Sequence, residues 1–207
     1  MTRTIAFRGC DAPSHALRRT RATLLGIGLA LLSACTLIQR PEPVTTLQIS
    51  MTDTDLVWPA ELMPGKVESV SALRSNRVLV VDGAVLMQHE GLRWVETPAV
   101  MWSEQLRALH ARSTAQRATK ASIEVWLGEF NLRVGAERTQ EVVVSADATL
   151  VCNGSDRTIP VAPVSASGTS ASSDPQALAR AFGQASEEVL ATLLEQSSER
   201  AADCAAP

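Results

Sequence analysis

Residues 140–152, QEVVVSADATLVC, alternate apolar and polar side chains almost without a break. Val142, Val144, Ala146, Ala148, Leu150 and Cys152 share one parity, while Ser145, Asp147 and Thr149 share the other. A β-strand sends successive side chains to opposite faces, so this pattern gives one apolar face and one wet face. Such a strand belongs in an antiparallel sheet buried on a single side. Something must cover that side, and the chain supplies helices for it.

The preceding segment, ASIEVWLGEFNLRV at 121–134, also alternates, but its phase slips. Ile123, Val125 and Leu127 hold one parity, and Phe130, Leu132 and Val134 hold the other. A slip at Gly128 is what a β-bulge produces, so the two segments form an antiparallel pair with Gly135–Thr139 as the turn. RVLVV (77–81) and AVLMQH (84–89), joined at Asp82-Gly83, read as a hairpin, because Asp-Gly accepts the positive φ of a tight turn. LQISM (47–51) reads as a first strand, residues 52–66 as turn-rich, KVESVSAL (66–73) as a short helix, and SASGTSASSD (165–174) as a flexible loop.

Two longer helices follow from caps and spacing. Thr97 is an N-cap candidate with Pro98 at the first helical position, and Trp102, Leu106 and Leu109 form an apolar stripe. Arg107, His110 and Arg112 crowd the last turns, where they suit the helix dipole. Asp174 and Pro175 open a second helix running to about Gln196, with Leu178, Phe182, Ala185, Val189 and Leu193 along one side. The expected fold is therefore α+β: a two-layer sandwich whose mixed, mostly antiparallel sheet carries two main helices on one face. No strong internal repeat is present.

The N-terminus carries a different signal. Arg18, Arg19 and Arg21 precede ATLLGIGLALLSA, 13 uncharged residues at 22–34. That run is shorter than the ~20 residues of a spanning helix and matches the ~7–15 of a secretory core. No other run is long enough to span. A twin-arginine signal fits poorly, because the apolar residue expected after the pair is missing. Leu32-Ser33-Ala34-Cys35 resembles the lipobox of bacterial lipoproteins, which implies cleavage before Cys35 and acyl chains on its sulfur; an ordinary signal peptide with a chance cysteine, or a buried helix, is the alternative. Two or three such chains anchor stably where one does not. The expected organisation is a signal peptide at 1–34, a lipidated tether at 35–46 and one periplasmic domain at 47–207. In lipoproteins of this type an Asp after the cysteine retains the protein at the inner membrane, so Thr36 implies the outer membrane.

Charge and cysteines narrow the function. Residues 1–35 hold five of the 19 basic residues and one of the 22 acidic ones, leaving 14 and 21 and a net charge of −7. That balance argues against nucleic acid and against docking on anionic lipid through a basic patch. Cys10 leaves with the signal and Cys35 takes lipid, so Cys152 and Cys204 remain, and in an oxidising compartment they suit a disulfide. Two unpaired thiols remain the alternative.

Chemical motifs are sparse. His89 and His110 have no partner at metal-ligand spacing, so no metal site is expected. No nucleophile elbow or phosphate-binding glycine loop occurs, the serines of GTSASSD fit loop composition, and Glu187-Glu188 lie on a helix as solvated carboxylates. Asn153-Gly154-Ser155 reads as a turn. No cofactor and no catalytic set are expected.

Residues 76–106, NRVLVVDGAVLMQHEGLRWVETPAVMWSEQL, combine a strand pair, an Arg93-Trp94 dipeptide, Pro98 and a helix reaching Leu106. This arrangement resembles the ABC-type transport auxiliary lipoproteins, the PqiC/YmbA-like family, and DPQALARAFGQASEEVLATLL resembles that family's last helix. The chain departs from the family in lacking the tyrosines frequent before Arg-Trp. The resemblance implies a non-catalytic role beside an inner-membrane ABC transporter and an MCE-type lipid-carrying protein, docking or completing a conduit for phospholipids or related apolar molecules, and it leaves room for a homo-oligomer. A lipoprotein that itself holds a lipid between helices and sheet is the alternative, and an envelope hydrolase is a third class. Trp94 is expected to pack on the sheet, with Arg93 paired to an acid or stacked, so that both fix the strand-to-helix corner or contact a partner.

Overall fold

A computed structural model of the protein describes residues 43–51, 56–113, 119–135, 139–170 and 174–205. In chain order the elements are β1 (Thr45–Leu47), β2 (Leu62–Ser69), a 3-10 turn at Ser71–Leu73, β3 (Arg77–Asp82), β4 (Val85–Trp94), α1 (Pro98–Arg112), β5 (Ala121–Val134), β6 (Gln140–Cys152), β7 (Thr158–Ser170), α2 (Pro175–Ala201) and a closing 3-10 turn at Ala202–Ala205. The strands form one seven-stranded mixed sheet in the order β1-β4-β3-β5-β6-β7, with β2 also beside β5. The architecture is the expected α+β sandwich.

The alternating segments behave as their patterns require. β5 and β6 run antiparallel from Ala121↔Cys152 to Val134↔Gln140, and the register shifts between Leu127 and Glu129, placing the bulge at Gly128. Val142, Val144, Ala146, Ala148, Leu150 and Cys152 are all at most 3 % exposed. Ile123, Val125, Leu127, Phe130 and Leu132 are buried with them. The β3–β4 hairpin also forms, with Asp82 paired to Val85. Its two-residue loop is therefore Gly83-Ala84, one position later than the Asp-Gly reading, and Gly83 takes φ 57°. Glycine is the default residue for that left-handed region, since it has no Cβ to clash.

Three expectations are corrected. The first strand pairs through Thr45–Leu47 rather than 47–51, so the tether's last two residues belong to the sheet. Residues 62–69 form β2, parallel to β5, where turns and a helix were expected; only Ser71–Leu73 make a single 3-10 turn. β7 runs through Ser170, so the serine-rich stretch at 165–170 is strand and not loop.

β6 fills one edge of β5 along its whole length, so β2 and β3 must share the other edge end to end. β2 reaches Leu127 and β3 begins at Asn131, with the 3-10 turn bridging the gap between two strands of the same direction. Pro64 and Gly65 sit at the register shift of β2, where a missing N–H and a missing Cβ are tolerated.

Both helices bury into the same core. α1 contributes Met101, Trp102 and Leu106, and α2 contributes Leu178, Phe182, Ala185, Val189, Leu190, Leu193 and Leu194. α2 is capped by Asp174, whose Oδ2 accepts from the Ala177 N–H at 3.0 Å, whereas Thr97 makes no side-chain cap on α1. Cys152 and Cys204 form a disulfide with Cα atoms 5.3 Å apart, tying the turn after α2 to the end of β6. Among the described residues no helix is long and apolar enough to cross a membrane.

Candidate functional site

The strand-to-helix corner at Arg93–Pro98 is where the distinctive motif lies. β4 ends at Trp94, and two neighbours hold that end in place. The Trp94 N–H donates to the Asn76 carbonyl at 2.8 Å, and the Val95 N–H donates to the Leu47 carbonyl at 2.9 Å. β1 lies parallel beside it, with Thr46 opposite Arg93 and Leu47 opposite Trp94. Pro98 then starts α1 at a buried position, its fixed φ suiting the first helical turn.

Trp94 is 1 % exposed and meets two rings. It stands edge-on to Phe130 of β5 at 5.1 Å between centroids and to Phe182 of α2 at 4.8 Å, and Phe130 and Phe182 are themselves 4.7 Å apart. One indole thus joins β4, the central strand and the long helix. The expectation that Trp94 packs on the sheet holds, with the helix added. Its Nε1 finds no hydrogen-bond partner among the described residues, so the ring contributes through area and quadrupole alone.

Arg93 differs from its expectation. Among the described residues no carboxylate lies within salt-bridge distance of it and no ring stacks on it. It pairs in register with Arg77 of β3, so two guanidinium-bearing residues face each other across the antiparallel ladder. Like charges opposite one another are unfavourable, and both residues are half-buried.

The remaining singled-out residues are separated. The His89 Nδ1 accepts from the Gly91 N–H at 3.2 Å, and His110 lies edge-on to Trp58 at 5.6 Å. No group of three or more His, Cys, Asp or Glu that could hold a metal occurs among the described residues. Asn153 donates to the Thr119 carbonyl at 2.9 Å within a turn in which Gly154 has φ 81°. Cys35 lies outside the described residues.

A lipid held between helices and sheet needs room. The recess between α1 and α2, lined by Met51, Leu56, Leu109 and Leu190 among others, encloses about 20 Å³, enough for about one water. The core between helices and sheet contains Trp102, Phe130, Phe182 and Leu106, none more than 1 % exposed.

Sequence reasoning missed the tip of the β3–β4 hairpin. Val85, Leu86 and Met87 are 56, 53 and 44 % exposed. The hint was available: VLVV and AVLM flank the turn with apolar residues at successive positions, where a half-buried hairpin would alternate.

No protein-family model matches the chain, and no curated protein matches it. Solved structures do. A crystal structure of a Xanthomonas campestris protein from the family DUF330 superposes with a TM-score of 0.62 at 17 % identity, covering 78 % of this chain and 96 % of that one. An uncharacterised protein superposes with a TM-score of 0.51 at 13 % identity, covering 78 % and 99 %. At such identities the likeness is one of fold.

Proposed function

We propose that this chain is an outer-membrane lipoprotein, anchored through acyl chains on Cys35 and facing the periplasm. In this role it is a non-catalytic auxiliary component of an ABC-type intermembrane lipid transport system, working with an MCE-type lipid-carrying protein and an inner-membrane ABC transporter. The observation that carries the proposal is the combination of the lipobox-like Leu32-Ser33-Ala34-Cys35 with the family-like segment at 76–106. That segment folds as one continuous unit, from hairpin through the Arg93–Trp94 corner to α1.

Two features support docking over the alternative of a lipid carried inside the domain. The core between helices and sheet is filled by its own side chains, Trp102, Leu106, Phe130 and Phe182 among them, and the recess between the two helices has room for about one water. Arg93 holds no salt bridge among the described residues, and it sits beside a corner packed on three rings. Mild crosslinking in intact cells followed by isolation of the full-length protein tests the proposal. Recovery of an MCE-type protein or transporter subunits is expected, and recovery of neither counts against it. A stoichiometric lipid in the purified protein, seen by mass spectrometry after the Cys35 acyl chains are accounted for, favours the carrier reading instead.

A further inference from the structure

The β3–β4 hairpin projects an apolar end that the fold itself does not use. Its register places Val81 opposite Leu86 and Val80 opposite Met87. Side chains alternate along a strand, so these two pairs point to opposite faces. A hairpin lying on a core is apolar on one face and wet on the other; this one is apolar on both faces near its turn, and Val85, Leu86 and Met87 are all about half exposed. Between Val80 and Gln88 the only charged residue is Asp82. Among the described residues the outer edge of β4 has no partner there, since β1 pairs with Leu92–Trp94.

The direction of β1 says what faces this tip. β1 is parallel to β4 with Thr45 opposite Leu92, so the chain enters β1 from the side on which β4 begins, which is the hairpin end. From Leu92 back to Val85 is seven residues (92 − 85), or about 23 Å of strand. From Cys35 to Thr45 is ten backbone steps (45 − 35), which reach at most about 34 Å. The tether is long enough for its lipid to lie level with the tip or slightly beyond it, and too short to let the domain drift far from the bilayer.

We infer that the Val85–Leu86–Met87 tip is a second membrane contact, entering the boundary between headgroups and acyl chains of the bilayer that holds Cys35. This rests on the assignment of Cys35 as the lipid anchor. The acyl chains supply most of the affinity, since three half-exposed side chains add little to them. The tip supplies orientation, standing the sheet on its hairpin end. Attraction to charged headgroups plays little part, because the chain after residue 35 carries a net charge of −7 and the tip's one charge is acidic.

The test uses the lipidated protein extracted from membranes, with Cys35 acylation verified by the mass of its N-terminal peptide. It is reconstituted into vesicles of phosphatidylethanolamine and phosphatidylglycerol bearing brominated acyl chains. Leu86→Trp, and Met87→Trp as a second position, are compared with Asp156→Trp in the turn at the opposite end of the sheet, each after subtraction of the parent spectrum. The tip tryptophans are expected to be blue-shifted and quenched several-fold more strongly than the one at 156, with quenching unchanged by added salt. Equal quenching at the two ends, or photocrosslinking from position 86 to a second copy or another protein instead of lipid, overturns the inference while leaving the anchor assignment intact. A chain that carries no acyl group overturns both.

Discussion

Trp94 stands edge-on to Phe182, their ring centroids 4.8 Å apart and their planes at 85°. The contact fastens the last residue of β4 to the long helix and so fixes the direction in which the chain leaves for α1. Truncation by Trp94→Ala removes a fully buried ring and leaves a cavity. A loss of about 3–5 kcal/mol is expected, read as a lower urea midpoint at unchanged slope. Trp94→Phe keeps an aromatic edge at the site and should lose clearly less.

Arg93, one residue earlier, should behave in the opposite way. It holds no ion pair among the described residues, so Arg93→Ala should change stability by no more than about 0.5 kcal/mol. If its charge serves docking, the yield of crosslinked transporter partner falls while the melting curve stays in place. An unchanged yield places the docking surface elsewhere.

The Cys152–Cys204 disulfide closes a loop of 52 residues. On the chain-entropy estimate such a loop contributes about 4 kcal/mol. Cys204→Ser should therefore lower the unfolding midpoint substantially, and reduction of the unmutated protein should lower it by a similar amount. Hydrogen exchange should show the first loss of protection in the last turns of α2 and the end of β6, the segments that the bond joins.

Gly183 separates two effects of one methyl group. Alanine is better than glycine in a helix by about 1 kcal/mol. A Cβ at 183, however, would lie 2.6 Å from the Ser50 carbonyl oxygen, a backbone atom that no rotamer change can move. Overpacking of this kind is unfavourable by about 1–3 kcal/mol, so Gly183→Ala should be net destabilising. Gly91→Ala, whose nearest neighbour would be the His89 ring at 4.0 Å, should be close to neutral in thermal denaturation.

The elements that could be read from sequence were those in which a single period decided the matter. β6 alternates from Val144 to Cys152, and α2 repeats its apolar residues at helical spacing behind an Asp-Pro cap. The bulge at Gly128 was also legible, because a parity change needs an extra residue somewhere. β2 was not, since its partner is distant: Lys66, Glu68 and Glu124 make a salt-bridged polar face there, and parallel pairing to β5 leaves only Leu62 and Ser69 buried within LMPGKVES. β7 was misread because SASGTS has the composition of a loop. Its antiparallel pairing with β6, from Gln140↔Ser170 to Ser145↔Ser165, decides the matter, and backbone pairing leaves no mark on composition. At the corner, Trp94 and Pro98 were legible as structural residues, whereas the solitude of Arg93 depends on which strand lies opposite, and that is a matter of register.

The pairing of Ala121 with Cys152 at one limit of the central strands, and of Val134 with Gln140 at the other, gives the sheet a long axis. Thirteen steps of strand make that axis about 43 Å. The covalent clasp on the C-terminal segment sits at one pole and the hairpin turn at the other. A fluorescent protein fused to the C-terminus should therefore ride on the pole remote from Gly83, serving as a height gauge whose energy transfer to dyes in the bilayer reports whether the domain stands upright or lies flat.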